Sequence, residues 1–97
     1  MPVACSHLGQ IDPEVIPSGD GCVECLRDGG HWLHLRMCRS CGHVGCCDSS
    51  ASRHASAHAT EPGHQVVSSF EPDEDWLWCY ADEVAFAVPS LATYTHP

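Results

Sequence analysis

The chain has 97 residues, a length that suits one small domain. Eight cysteines and eight histidines stand against a modest apolar content, so something besides hydrophobic burial must hold the fold. With 13 acidic and only four basic side chains the formal charge is −9, which argues against phosphate-rich partners such as nucleic acid and anionic membrane, and favours a protein or peptide partner.

Eight cysteines would mean four disulfides in a secreted chain, or metal ligands in a reducing compartment. The N-terminus, MPVACSHLGQ, has neither a basic start nor an apolar run, and reads as no signal peptide. No apolar run approaches the length that spans a bilayer. Disulfides have no use for imidazole, so the interleaving of Cys with His favours metal and a cytoplasmic location.

In chain order, residues 1–21 are turn-rich (DPEVIPSGDG) with little periodicity. Cys22-Val-Glu-Cys25 opens a metal knuckle. HWLHLRMC, 31–38, alternates as a strand does, with Trp32 or Leu33 expected on its buried face. Cys38-Arg-Ser-Cys41 is a second knuckle. Ser49 or Ser50 suits the N-cap of an Ala-rich helix reaching about residue 59, stopped by EPG. QVVSSF, 65–70, reads as a strand, and DWLWCYADEVAF as one strand or two short ones. The zinc-binding domain is expected over 1–88, with 89–97 a frayed tail. The expected class is a small α+β zinc finger, a twisted antiparallel sheet with one or two helices.

The CxxC spacing brings two thiolates from one tight turn within reach of a single zinc at about 2.3 Å. Two such pairs, thirteen residues apart, are a strong zinc signal, and each supplies half a tetrahedron. Cys46, His54, His58 and His64 are the obvious supply of the missing donors. His54 and His58 stand four apart on the expected helix and share a face, so they could chelate one ion together or serve two ions side by side. Spacing leaves both arrangements open.

The order Cys5-Ser-His7, Cys22/Cys25, Cys38/Cys41, Cys46, His54, His58, His64 and Trp78-Cys79-Tyr80 resembles the ubiquitin-specific-protease-type zinc finger, ZnF-UBP or BUZ finger, and suggests a small stand-alone member. The resemblance runs from Cys5 to about Phe86. It implies cross-braced zinc sites: Cys22, Cys25, Cys46 and His54 at one ion, Cys38, Cys41, His58 and His64 at a second. It also implies a third site from Cys5, His7 and Cys79, with Asp82 where the family has a cysteine. A carboxylate oxygen ligates zinc at about 2.0–2.2 Å but is a harder donor than thiolate. Two zinc ions are thus expected, and a third at Cys5/His7/Cys79/Asp82.

Members of that family take up the free C-terminal Gly-Gly tail of ubiquitin, with an arginine holding the carboxylate and aromatic side chains flanking the tail. Here Asp48 occupies the arginine position and Arg36 a tryptophan position, while Trp78 and Tyr80 remain. The resemblance therefore implies a non-catalytic peptide-binding module, monomeric, with peptide-site residues Trp78, Tyr80, Arg36 and Asp48 and a weakened hold on ubiquitin. Trp76, Trp78 and Tyr80 suit either a small core or a pocket wall.

Cys47 reads as a small buried hydrophobe, and His31, His34, His43 and His96 as surface groups or neighbours of the ligands. Catalysis is disfavoured. Sites closed by four protein ligands leave no position for water, no HExxH or HxE…PCxxC arrangement is present, and no base is evident to activate Cys47. The alternative reading is a purely structural or zinc-responsive domain.

Overall fold

The computed structural model describes residues 7–12, 14–47, 53–71 and 74–88. Five antiparallel strands form one sheet in the order β2-β1-β3-β4-β5. They are β1 (Leu35–Cys38), β2 (Val44–Cys46), β3 (Val66–Ser69), β4 (Leu77–Cys79) and β5 (Val84–Phe86), joined by α1 (Val23–Asp28) and α2 (His54–His58). Among the described residues no helix is long and apolar enough to cross a membrane.

Helix α1 grows directly out of the first CxxC. Cys22 is its N-cap, with Sγ accepting from the Cys25 N–H. Glu24 in the first turn and Arg27 in the last suit the helix dipole. Gly29 ends the helix at φ 75°, and the Gly30 N–H donates to the Cys25 carbonyl at 2.8 Å. The first CxxC, expected as a knuckle alone, therefore also starts a short helix.

Two further expectations are corrected. The strand expected over 31–38 begins only at Leu35: Leu33 is 65% exposed, and Leu35 and Met37 take the buried positions. Trp32 precedes the strand and packs against the core from outside. The α2 helix is capped by Arg53, in the left-handed region at φ 48° with no side-chain cap bond, rather than by Ser49 or Ser50. Those two serines, like Cys5, Asp48 and the tail 89–97, lie outside the described residues.

The register sorts the side chains. One face carries Leu35, Met37, Val44 and Cys46, and further along Val66, Leu77 and Cys79, with Leu35 opposite Cys46 and Val66 opposite Cys79. Val15, Cys22, Cys25 and Phe70 complete the first of these clusters, and Ile11 packs on the second with Val84 and Phe86. The other face carries Arg36, Val67, Trp78 and Ala85. Helix α2 lies across Gly45, where a Cβ would stand 2.7 Å from the Ala55 nitrogen, so only glycine permits this approach. Past α2 no described helix or strand covers that face.

Candidate metal centres and groove

Cys22 and Cys25 come from α1, Cys46 from the end of β2 and His54 from the start of α2. Their donor atoms lie within 4.8 Å of one another. His54 Nδ1 stands 3.2 Å from Cys22 Sγ, 3.4 Å from Cys25 Sγ and 3.5 Å from Cys46 Sγ, and the Cys25 and Cys46 sulfurs are 3.9 Å apart. A tetrahedron with ordinary zinc–sulfur and zinc–nitrogen bonds has S···S edges of about 3.8 Å and S···N edges of about 3.5 Å. The four donors therefore surround a zinc-sized centre. Backbone N–H groups point at the sulfurs: Cys25 N–H donates to Cys22 Sγ at 3.5 Å and His54 N–H to Cys46 Sγ at 3.2 Å. Such donors favour thiolate.

Protein alone does not supply what these thiols need to ionise. Burial pushes the Cys25 thiol up to about 12, and the neighbouring Cys22 and Cys46 thiols push in the same direction. Three sulfurs in one buried pocket are stable as thiolates only around a cation.

The second set holds Cys38 and Cys41, from the β1–β2 turn, and His58 and His64, from the end of α2 and the loop after it. His64 Nδ1 is 3.4 Å from Cys38 Sγ, and His58 Nε2 is 3.4 Å from Cys41 Sγ. The turn that presents Cys41 requires Gly42, whose φ is +84° and whose Cβ would overlap the Ile16 carbonyl. Burial raises the Cys38 thiol, partly offset by the Cys41 and Ser40 N–H groups. Burial first, then His43 and His64, holds His58 below its usual value, and the neutral imidazole is the ligating form. His54 and His58 thus stand in different donor sets, the alternative that spacing left open. The two sets fit two zinc ions.

A third group joins His7, Cys79 and Asp82. His7 Nδ1 lies 3.2 Å from Asp82 Oδ2 and 3.5 Å from Cys79 Sγ, and the Asp82 N–H donates to Cys79 Sγ at 3.4 Å. The His7 and Asp82 side chains are each 30% exposed, while Cys79 is buried.

Of the remaining histidines, His31 and His34 are exposed. His43 is not a bystander. Its Nε2 meets both Glu24 carboxylate oxygens at 2.9 Å, and its ring stacks on that of His58. Sequence reasoning gave Glu24 no role, because a single acid inside a CxxC carries no signal of its own.

On the open face of the sheet, Arg36, Cys47, Val67, Trp76, Trp78, Tyr80 and Ala85 line a groove of about 440 Å³. The Arg36 guanidinium lies 4.6 Å from the centre of a Trp76 ring, and its Nη1 donates to the Leu35 carbonyl at 3.0 Å. Trp78 and Tyr80 meet edge to face at 6.4 Å between centroids. The three aromatics are half-buried, so they form the wall of a depression rather than the interior of a core. Cys47 is buried at this groove, on the opposite side of the strand from Cys46.

Comparison with known proteins agrees with this arrangement. The family model described as "Zn-finger in ubiquitin-hydrolases and other protein" matches residues 22–91. The solution NMR structure of protein RPA1320 from Rhodopseudomonas palustris is 45% identical, with a TM-score of 0.84 over 100% of this chain and 94% of that one. No curated protein matches. Two cross-braced Cys/His sets on a five-stranded sheet, matched over most of the length, place the chain in the zf-UBP family of zinc fingers.

Proposed function

We propose that the protein is a zinc-held, non-catalytic interaction module that takes up a peptide tail ending in a free carboxylate, working as a monomer in the cytoplasm. In this reading Cys22, Cys25, Cys46 and His54 hold one zinc, and Cys38, Cys41, His58 and His64 hold the second. Cys5 joins His7, Cys79 and Asp82 at the third. Metal fixes the sheet, and the sheet presents the groove.

The observation that carries the reading is the groove itself. A depression walled by Trp76, Trp78 and Tyr80 has one cation, Arg36, among the described residues of its lining. No ion pair to Arg36 occurs among the described residues. An extended chain lies between flat aromatic walls at low entropic cost, and a guanidinium is the side chain best shaped to grip a carboxylate. Arg36 stands where the resembling fingers have a tryptophan, so it offers a carboxylate a different place in the groove from the one their arginine grips. The acidic surface favours basic residues upstream of the ligand's carboxylate.

Ubiquitin itself is expected to bind weakly. Asp48 stands where the clamping arginine would be, and a charge-assisted hydrogen bond is worth about 1.5–3 kcal/mol. Its loss alone costs roughly ten- to a hundredfold in affinity. Isothermal titration tests both points. Short basic peptides with a free C-terminus should bind at least tenfold more tightly than their amidated forms, and Arg36→Gln should erase that difference. Equal affinity for free and amidated tails would refute the carboxylate reading. Micromolar or tighter binding of ubiquitin by the unmodified chain would refute the role given to Asp48.

A further inference from the structure

Glu24 sits between the two cysteines of the first CxxC, on α1. His43 sits just after the second CxxC, in the β1–β2 turn. Nineteen residues apart in sequence, they meet with both carboxylate oxygens 2.9 Å from His43 Nε2. The contact is sheltered, with side-chain exposures of 16% for His43 and 23% for Glu24. The other side of the His43 ring lies flat on His58, at 4.1 Å between centroids and 7° between planes. His58 in turn meets His64 edge to face at 4.8 Å, and its Nε2 lies 3.4 Å from Cys41 Sγ. The Cys38 N–H donates to the His43 carbonyl at 2.8 Å, so His43 is anchored at its backbone as well.

We infer that Glu24 and His43 are positioning residues for the second zinc site, forming a strut that carries the order of the first site to the second. Helix α1 is six residues long, too short to stand without support. Its N-cap and core are Cys22 and Cys25, so ions and donors at the first site are what keep Glu24 in place. Glu24 fixes the rotation of the His43 ring. The His43 ring, laid flat on His58, fixes the plane in which His58 Nε2 faces the Cys41 sulfur. Ligating histidines are ordinarily oriented by a carboxylate on their other ring nitrogen. Here the carboxylate acts one ring removed, through a stack. A second site built this way binds metal more tightly once the first is filled, and the coupling is reciprocal.

The inference rests on the ligand sets proposed above, and the experiment separates the two. Cobalt replaces zinc as a probe, because a three-thiolate and a two-thiolate site differ in charge-transfer and d–d absorption. Competition with a chromophoric chelator then gives the affinity of each site in the full chain. Glu24→Gln, the mildest variant, should weaken the two-thiolate site about tenfold, within the 10–100-fold typical of outer-shell partners. The three-thiolate site should keep its affinity within about twofold. His43→Phe keeps a flat ring on His58 and loses the carboxylate, so it should match Glu24→Gln. If His43→Phe or Glu24→Gln leaves the second site at full affinity, or weakens both sites equally, the strut is refuted. His58→Ala is the control: a two-thiolate spectrum unchanged by it would overturn the ligand assignment instead.

Discussion

The first and second metal sites share a helix and differ in nearly everything else. At the first, three thiols are buried and only His54 reaches partial exposure. At the second, Cys41 is exposed and both histidines are half-buried. Three buried sulfurs without a cation face desolvation and one another, as the raised Cys25 thiol records. Two sulfurs, one of them wet, face less of either. We expect the fold to close around the first site and the second to exchange its metal more readily. On that expectation burial, more than donor count, ranks the two sites.

The largest effect should come from Cys46→Ser. Cys46 belongs both to the first donor set and to the core cluster with Leu35, Met37 and Val44. Structural zinc contributes on the order of 10 kcal/mol in finger peptides, which matches the whole margin of a domain this size. This variant should be unfolded in thermal melts even with zinc in excess. A cooperative melt near that of the unmodified chain would break the ranking.

His64→Ala and Cys41→Ser come next. Each should lose the second zinc, counted by native mass spectrometry, and keep a cooperative melt at a lower temperature. Cys41→Ser, at the exposed corner, should retain more of the melt than Cys46→Ser. If Cys41→Ser proves the more damaging of the two, exposure does not rank the sites.

Gly45→Ala probes the helix that both sites share. Its Cβ would meet the Ala55 backbone at 2.7 Å, and backbone yields less readily than a side chain. Overpacking of this kind costs about 1–3 kcal/mol, a fall in Tm of about 4–8 °C for each kcal/mol in a domain of this length. A change below about 2 °C would show that α2 shifts freely over the sheet. The smallest effect among the cysteines is expected at Cys47, which belongs to no donor set among the described residues. Cys47→Ser should keep every zinc and stay close to the original Tm. Damage equal to that of Cys46→Ser would overturn the register of ligands.

The sequence made the donors legible and left their surroundings obscure. Two CxxC pairs announce zinc because few other uses of cysteine keep that spacing twice, and the runs around Val66–Ser69 and Leu77–Cys79 carry the β-branched and aromatic residues that strands favour. Which histidine faces which ion was not legible from spacing, since positions 54 and 58 share a helical face; the family resemblance supplied a pairing, and the geometry groups the donors in the same way. Helix α1 escaped notice because it is under two turns long and leaves Leu26 65% exposed, so no apolar period marks it. Helix α2 starts on Arg53 in a left-handed conformation, a cap that no side-chain preference would predict. The fate of Trp76, Trp78 and Tyr80 was undecidable because core and groove use the same residues. What settles it is that β4 pairs between β3 and β5, so Trp78 lies on the face that α2 covers only at its β2 end, beyond the helix and in the lining of the groove.

A chelator titration followed by amide nitrogen–proton correlation spectra separates the two metal sites in the intact chain. Two stages are expected. Resonances of the β1–β2 turn and the end of α2 should shift first, as the second site empties, and loss of the first zinc should then collapse the dispersion of the whole chain. Full dispersion retained after complete metal removal would show that metal does not hold the fold.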